Sequence, residues 1–358
     1  MKLRAEDLGA LARGAAVLGT GGGGDPHIGR LMAEQALKEH GPIEIVAPGD
    51  LPDDACVLPV AMMGAPTVMV EKLPSAEQIS VAVETLAKYI GRTPTHLASI
   101  EAGGVNSTVP VIAAAQLGLP LIDGDGMGRA FPELQMVLPT LAGIEATPMS
   151  IVDEKGNRGV FDTISNSWAE RLARSATVDM GCSAIVSLYP MTGTQARESL
   201  VAGTLSKCVD IGRAIEQARR AHTDPVAAVA AELGGRLLHV GKVVDVQRRT
   251  TTGFARGDAT VDGLDASHRR VLVLRFQNEH LVAELDGTAV ATTPDLIIVL
   301  DTESGEPITT EALRYGHRVS VLAAPADERW HSPEGIGLVG PRYFGYDLDP
   351  IRAVEAAV

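Results

Sequence analysis

The stretch THLASIEAGGVNSTVPVIAAAQLGLPLIDGDG, residues 95–126, alternates short apolar runs with one longer helical pattern. We predict a strand at 95–100, a helix from about 106 to 117, and a second strand at 119–122. Strands that alternate with helices of ten or more residues are typical of βαβ units around a parallel sheet. In such sheets the loops after the strands form the ligand crevice, so these loops are candidates for a functional site.

The pattern extends in both directions and then changes. Toward the N-terminus, the same periodicity predicts helices at 4–17, 26–39 and 75–89 and strands at 43–47 and 55–61. Beyond about residue 165, helical patterns reach residue 234, and short alternating runs separated by turns follow them. We therefore predict an α/β N-terminal domain with a largely parallel sheet over residues 1–168. Residues 169–358 are predicted to form a C-terminal α+β domain, helical to about 234 and then rich in β-strands.

Composition excludes several classes of partner. The formal net charge of the 358 residues is −14, and acidic side chains are spread along the chain. This argues against binding to nucleic acid or to an anionic membrane, both of which need clustered Lys and Arg. No stretch of about eighteen apolar residues predicts a spanning helix. Three cysteines without metal-type spacing imply no disulfide framework, so we expect a cytoplasmic protein.

The glycine run LGTGGGGDP, residues 18–26, is the first candidate loop. Gly21, Gly22 and Gly23 would let the backbone approach a substrate, and Asp25 followed by proline predicts a helix start with unpaired N–H donors. The run matches neither the phosphate-binding P-loop nor the dinucleotide fingerprint. A flexible turn between two helices remains the alternative. His27 is the one histidine that adjoins this loop in the sequence.

The second loop carries Glu101 at a predicted strand end, then two glycines and Asn106, which we predict to be a helix N-cap and a substrate-binding residue. This order places Glu101 in the crevice. Alternatively, its carboxylate hydrogen-bonds the backbone of a neighbouring loop.

The third loop, DGDGMGRAFPE at residues 123–133, is the most informative. Asp123 and Asp125 follow an apolar strand, and Glu133 comes soon after. Such oxygen-rich clusters suit a divalent metal ion or general acid–base chemistry. The alternative is a series of Asx turns with an Arg129 ion pair. Cys182, in the segment MGCS, is a soft metal ligand, a nucleophile or a small buried hydrophobe.

Three polar segments of the C-terminal half are predicted to be solvated turns: Gly241–Val244, Thr252–Gly257 and Gln277–Glu279. The alternative is that Lys242 or Arg256 reaches a substrate carboxylate, if this domain folds over the crevice. The sequence holds no G-x-S-x-G elbow and no H-E-x-x-H motif, which excludes the standard α/β-hydrolase and zincin classes.

Six motifs in order along nearly the whole chain resemble those of the S-methyl-thiohydantoin desulfurase family, formerly a family of unknown function. They are LGTGGGGDP (18–26), VAMMGAP (60–66), DGDGMGRAFPELQ (123–135), YPMTG (189–193), FQNE (276–279) and PDL (294–296). The resemblance implies an α/β N-terminal domain and a β-rich C-terminal domain. It also implies zinc-dependent hydrolysis of a small cyclic S-methyl-thiohydantoin, with release of methanethiol.

Zinc would lower the pKa of a bound water to about 7 and so supply hydroxide for attack on the ring carbon that bears sulfur. From the loops we take Asp25, Glu101, Asp123 and Asp125 as the pool of metal ligands, with His27 and Cys182 in reserve. An all-carboxylate set is unusual for zinc, so a histidine or cysteine ligand is expected. Glu133 is the acid–base candidate, and Arg129 would orient a substrate carboxylate or brace the acids.

Two alternatives remain. One is a metal-dependent amidohydrolase-like or ATP-coupled lactam-opening enzyme with an oxoprolinase-type partner, and the other is a non-catalytic binding subunit of a hydantoinase complex. The sequence is also compatible with a homo-oligomer.

Overall fold

The computed structural model describes residues 2–24, 26–64, 76–251 and 254–353. Within these ranges, each helix is too short or too polar to cross a membrane.

The first sheet has a parallel centre with antiparallel strands on its flanks. Its strand order is β1-β2-β5-β4-β3-β8-β6-β7, and β10 pairs with β5 while β9 pairs with β3. Strands β2, β5, β4 and β3 run parallel to one another. The strands are β1 (Lys2–Leu3), β2 (Ile43–Val46), β3 (Cys56–Gly64), β4 (His96–Ser99), β5 (Leu121–Asp125), β6 (Met149–Val152), β7 (Arg158–Phe161), β8 (Ser183–Ser187), β9 (Met191–Thr192) and β10 (Val201–Ala202).

Helices pack around this sheet and beside the C-terminal part of the chain, and they bury apolar side chains. They are α1 (Leu8–Leu18), α2 (Pro26–His40), α3 (Ala76–Ile90), α4 (Val109–Leu117), α5 (Leu138–Leu141), α6 (Asn166–Asp179), α7 (Gly193–Ser199), α8 (Thr204–Arg220), α9 (Pro225–Leu233) and α10 (Pro333–Val339). Helices α1 and α8 are in backbone contact, since a Cβ on Gly14 would lie 1.8 Å from the carbonyl oxygen of Cys208. The N-terminal glycine run leaves the end of α1, so this packing fixes where that run begins.

The second sheet is an antiparallel half-barrel with the strand order β15-β14-β13-β12-β11-β17-β16. Its inner face carries a separate apolar core that includes Leu272, Leu274 and Val299. The strands are β11 (Arg236–Thr251), β12 (Phe254–Gly263), β13 (Val271–Gln277), β14 (Glu279–Leu285), β15 (Thr288–Thr292), β16 (Leu296–Asp301) and β17 (Arg318–Ala324).

The predicted fold class is confirmed: the N-terminal part is α/β with a parallel centre, and the C-terminal part is strand-rich. Three details differ. Residues 241–244 and 254–257, predicted as turns, lie inside β11 and β12. Strands β6 and β7 lie in a stretch for which no strand is predicted. The first sheet also continues past residue 168, because β8 pairs with β3 and β6.

Candidate active site

A cavity of about 100 Å³ lies where the carboxyl ends of the parallel strands meet the second sheet. The ends of β3 and β4, the loop after β5 and the β13–β14 turn all contribute to its wall. Part of the wall is apolar and consists of Ala61, Met62, Met63, Ile100, Met127, Phe131, Val186 and Leu188. The crevice predicted at the strand ends is therefore present, and its volume suits a small ligand.

Glu101 follows β4 and is directed into this cavity. The residue is only 7% exposed, and burial raises the pKa of its carboxyl to about 7. A hydrogen bond of 2.6 Å from Asn106 Nδ2 to Oε1 opposes part of that rise, while the charge of Asp125 adds to it. Glu101 therefore changes its protonation near neutral pH, as a group that transfers protons should.

Asn106 holds the Glu101 loop against β3. Its Nδ2 also donates to the carbonyl of Met62 at 3.1 Å, and its Oδ1 accepts from the Met62 N–H at 2.7 Å. The predicted N-cap role is wrong, because Asn106 lies within a 3-10 helix, Gly104–Ser107, and Thr108 precedes α4. Instead, the Asn106 side chain fixes the orientation of Glu101 through its hydrogen bond to the carboxylate.

Glu279 enters the cavity from the second sheet. It is 3% exposed, and Oε2 has no hydrogen-bond partner among the described residues. Burial and the charge of Glu101 raise the pKa of Glu279 well above its usual value, although the Arg129 guanidinium opposes this. This carboxyl therefore keeps its proton to higher pH than an exposed glutamate does.

The prediction of a solvated turn at Gln277–Glu279 is wrong. Asn278 is a one-residue apex between β13 and β14, with φ 58°, and it is 8% exposed. It exchanges hydrogen bonds with Ala255 on β12, so the turn is held by three strands. The sequence did carry a signal, since Glu279 opens an otherwise largely apolar strand.

The glycine run joins the two sheets at the cavity. Thr20 O accepts from the His280 N–H and Gly21 O from the Thr310 N–H, both at 2.8 Å. A Cβ on Gly22 would lie 1.8 Å from Glu279 Oε1, and Gly23 lines the cavity. Gly21 and Gly23 have φ of 93° and 77°, which glycine adopts without strain. The run lets Glu279 pack against the backbone.

Arg129 is fully buried and connects the two halves of the molecule. It donates to the carbonyls of Pro294 at 2.8 Å and Asp295 at 2.6 Å, and to Thr20 Oγ1 at 2.8 Å. Its guanidinium also lies 4.5 Å from the centre of the Phe131 ring. Burial lowers its pKa to about 10, which leaves it charged at neutral pH. With its donors used in this way, Arg129 braces the structure beneath the site.

Asp123 and Asp125 both make hydrogen bonds that stabilise loops. Asp123 accepts from Ser206 N at 3.0 Å and Ser206 Oγ at 2.5 Å, in the first turn of α8. Asp125 is fully buried and accepts from the N–H groups of Ala102 at 2.6 Å and Gly128 at 2.9 Å. Burial raises the pKa of Asp125 to about 7 in spite of these bonds. The two loops after β4 and β5 are thereby joined beside Glu101.

The other predicted site residues do not group around Glu101 and Glu279. Glu133 lies on the cavity wall, where its Oε2 accepts from Tyr343 at 2.7 Å and Gln135 at 2.5 Å. His27 is exposed at the start of α2. Cys182 occupies the turn after α6 with φ 64° and does not line the cavity. Asp25 lies outside the described residues.

The described residues do not by themselves fit a zinc ion. Within the described ranges, no three or more His, Cys, Asp or Glu side chains group closely enough to hold a metal. The oxygens of Asp123 and Asp125 already accept backbone or hydroxyl hydrogens. The predicted roles of these residues as metal ligands stay predictions.

A buried polar group that the sequence did not indicate lies behind the glycine run. His280 is fully buried, and neither ring nitrogen has a hydrogen-bond partner among the described residues. Burial and the nearby Arg129 charge lower its pKa to about 3, so the ring is neutral. Its ring lies next to Gly21, where a Cβ would approach it to 2.7 Å.

These features define a class: a two-part α/β protein with a buried pair of carboxyls at the junction of its sheets. Two family models match it, the S-Me-THD-like N-terminal domain over residues 6–163 and the S-Me-THD-like C-terminal domain over residues 164–352. The chain belongs to the S-Me-THD-like family.

A solved structure shares this fold. The crystal structure of a protein from Chromobacterium violaceum is similar, with a TM-score of 0.80 and 23% sequence identity. The match covers 99% of this chain and all of that one. A search of curated proteins finds no significant match.

Proposed function

We propose that this protein is a hydrolase that acts on a small ring of the S-methyl-thiohydantoin type. Water attacks the ring carbon that bears sulfur, and methanethiol leaves. Family membership supports the substrate class. The observation that carries the reaction type is the pair Glu101 and Glu279, two buried carboxyls on one cavity wall, both with raised pKa values.

The pair can carry the protons of both steps. In the first, ionised Glu101 takes a proton from the attacking water and protonated Glu279 gives one to the ring nitrogen, as the C–O bond forms. In the second, Glu279 takes the hydroxyl proton, the C–S bond breaks, and Glu101 protonates the leaving sulfur. Both carboxyls return to their starting states, and a hydantoin remains. Two carboxyls whose surroundings separate their pKa values are a common arrangement for acid and base roles.

The cavity wall also suits the ring. Met62, Met63 and Phe131 provide an apolar surface for an S-methyl group, and thioether sulfur makes favourable contacts with such surfaces. Asn106 keeps Glu101 in one orientation, so less ordering is required when the ring binds.

Release of thiol from S-methyl-thiohydantoins tests the reaction, with Glu101→Gln compared with Glu133→Gln. Loss of the buried base should lower kcat/KM by about 10²- to 10⁴-fold. Glu133 is hydrogen-bonded to Tyr343 and Gln135, and its replacement should cost less than about tenfold. A larger loss of kcat/KM in Glu133→Gln than in Glu101→Gln would instead assign the acid–base role to Glu133. No turnover by the purified chain under any condition would favour the accessory-subunit alternative.

Zinc dependence stays a separate prediction within this proposal. Metal analysis of the purified protein, with turnover measured before and after chelation, tests it. Asp25→Asn is the variant of choice, because Asp25 is the one predicted carboxylate ligand outside the described residues.

A further inference from the structure

A groove on the second sheet brings together arginines that the proposed reaction does not use. The antiparallel register places Arg249 on β11 directly opposite Arg256 on β12. Gln277 on β13 is opposite Arg256, so the three side chains share one face of the sheet. The groove has a volume of about 440 Å³, within the range of small-molecule sites.

Arg249 and Arg256 are the two cations on which the properties of this groove depend. Both are exposed, and neither forms an ion pair with the residues that the structure describes. Like charges directly opposite each other on a sheet are destabilising. Neighbouring Arg275 differs, since it pairs with Glu284 at 2.9 Å and Asp258 at 3.4 Å. Asp258 is thus the one carboxylate on the groove wall, and Arg275 neutralises part of its charge.

The groove also offers surfaces for a planar group. Phe344 and Tyr346, from the segment after α10, form part of its wall. Gln277 is 3% exposed and adds an amide that can both donate and accept. Arg248 also contributes to the groove wall, but its guanidinium donates to the carbonyls of Thr310 and Leu313, so it is not counted as a ligand-binding residue.

We propose that this groove binds an organic diphosphate of the nucleoside diphosphate type. Two adjacent guanidinium forks match two linked phosphates, because each fork can bind phosphate oxygens through two N–H groups. The aromatic wall and the Gln277 amide then accommodate the planar ring. The groove is a different site from the cavity at Glu101. The two sites are close in the chain, because Gln277 lines the groove and the next two residues, Asn278 and Glu279, line the cavity.

Calorimetric titration of the full chain without substrate tests this proposal, with ADP, AMP, inorganic pyrophosphate, inorganic phosphate and citrate as probes. We expect saturable binding with ADP tightest, then pyrophosphate, and with phosphate and citrate at least tenfold weaker than ADP. In Arg249→Gln/Arg256→Gln the affinity for ADP should fall at least tenfold. Arg220→Gln is the matched control, because its side chain is 80% exposed at the end of α8.

The variant should fold, since both arginines are exposed and their mutual repulsion is removed. Its melting temperature without ligand should equal or exceed that of the parent. A second variant, Arg249→Lys/Arg256→Lys, keeps the charge and removes the forks, and an intermediate affinity is expected. Equal ADP affinity in parent and Gln variant would overturn the proposal. So would a concentration-dependent dimer of the parent that the Gln variant does not form, because the groove would then be an interface between copies.

Discussion

At the scale of single residues, Glu101 shows how burial creates a group that can work at neutral pH. Its carboxyl has a pKa of about 7 because burial outweighs the hydrogen bond from Asn106. Glu279 holds its proton to higher pH than an exposed glutamate does. We therefore expect kcat/KM to rise with pH through about 7 as Glu101 ionises, and to fall at higher pH as Glu279 loses its proton. A pH–rate profile without the rise near 7 would contradict the assignment of Glu101.

The same carboxyl should make the fold less stable at neutral and higher pH than at acidic pH. Its pKa is raised from 4.5 to about 7, so between these values the unfolded chain ionises and the folded chain does not. Stability therefore falls as pH rises through this window, by roughly 3 kcal/mol at most. Glu101→Gln removes the titration, so it should melt higher than the parent at pH 8. The difference should shrink toward pH 4, and thermal unfolding across this range measures it.

At the scale of elements, the site depends on loops being held at fixed distances. Asp125 joins the loops after β4 and β5 through bonds to Ala102 and Gly128. Asp125→Ala would leave buried N–H groups without partners, at about 1–3 kcal/mol each. Urea unfolding should show this loss whether or not metal is present. A variant that keeps full stability and loses bound zinc would instead support the predicted ligand role.

The glycine run also positions the site, because Glu279 packs directly against the backbone at Gly22. In Gly22→Ala the new Cβ would overlap Glu279 Oε1, so Glu279 must move and thiol release should fall at least tenfold. Gly9→Ala in α1 is the matched control, because its Cβ meets nothing within 4 Å. That control should keep activity and gain roughly 0.5–1 kcal/mol of stability, since alanine favours a helix. Equal activity in both variants would show that Glu279 need not stay where it lies.

At the scale of the whole molecule, Arg129 couples the two sheets. It donates to Thr20 beside the first sheet and to Pro294 and Asp295 near the second. Arg129→Met would leave these carbonyls without their donor and should cost about 3 kcal/mol or more. Denaturant unfolding measures that cost. Because Arg129 positions rather than reacts, residual activity should keep a rising limb near pH 7.

The sequence alone determined the alternating strands and helices of the parallel centre and their order. The spacing of apolar residues predicted the parallel centre, the Pro26 helix start and the loops at 101–107 and 123–133, since period and capping are local properties. Glu101 was placed in the crevice on the same grounds. The local pattern around Glu279 predicts a turn, because its burial depends on Gly22 and Glu101, which are far away in the chain.

Tertiary structure decided which of several carboxylates is buried in the cavity with few hydrogen-bond partners. The sequence predicts Asp123 and Asp125, like Glu101, as metal ligands and Glu133 as the acid–base residue. In the structure Asp123 and Asp125 are bonded to Ser206 and to backbone N–H groups. Glu133 is bonded to Tyr343, from the far end of the chain. Hydrogen-bond partners brought together by folding set the pKa and the freedom of each group, and no local pattern encodes them.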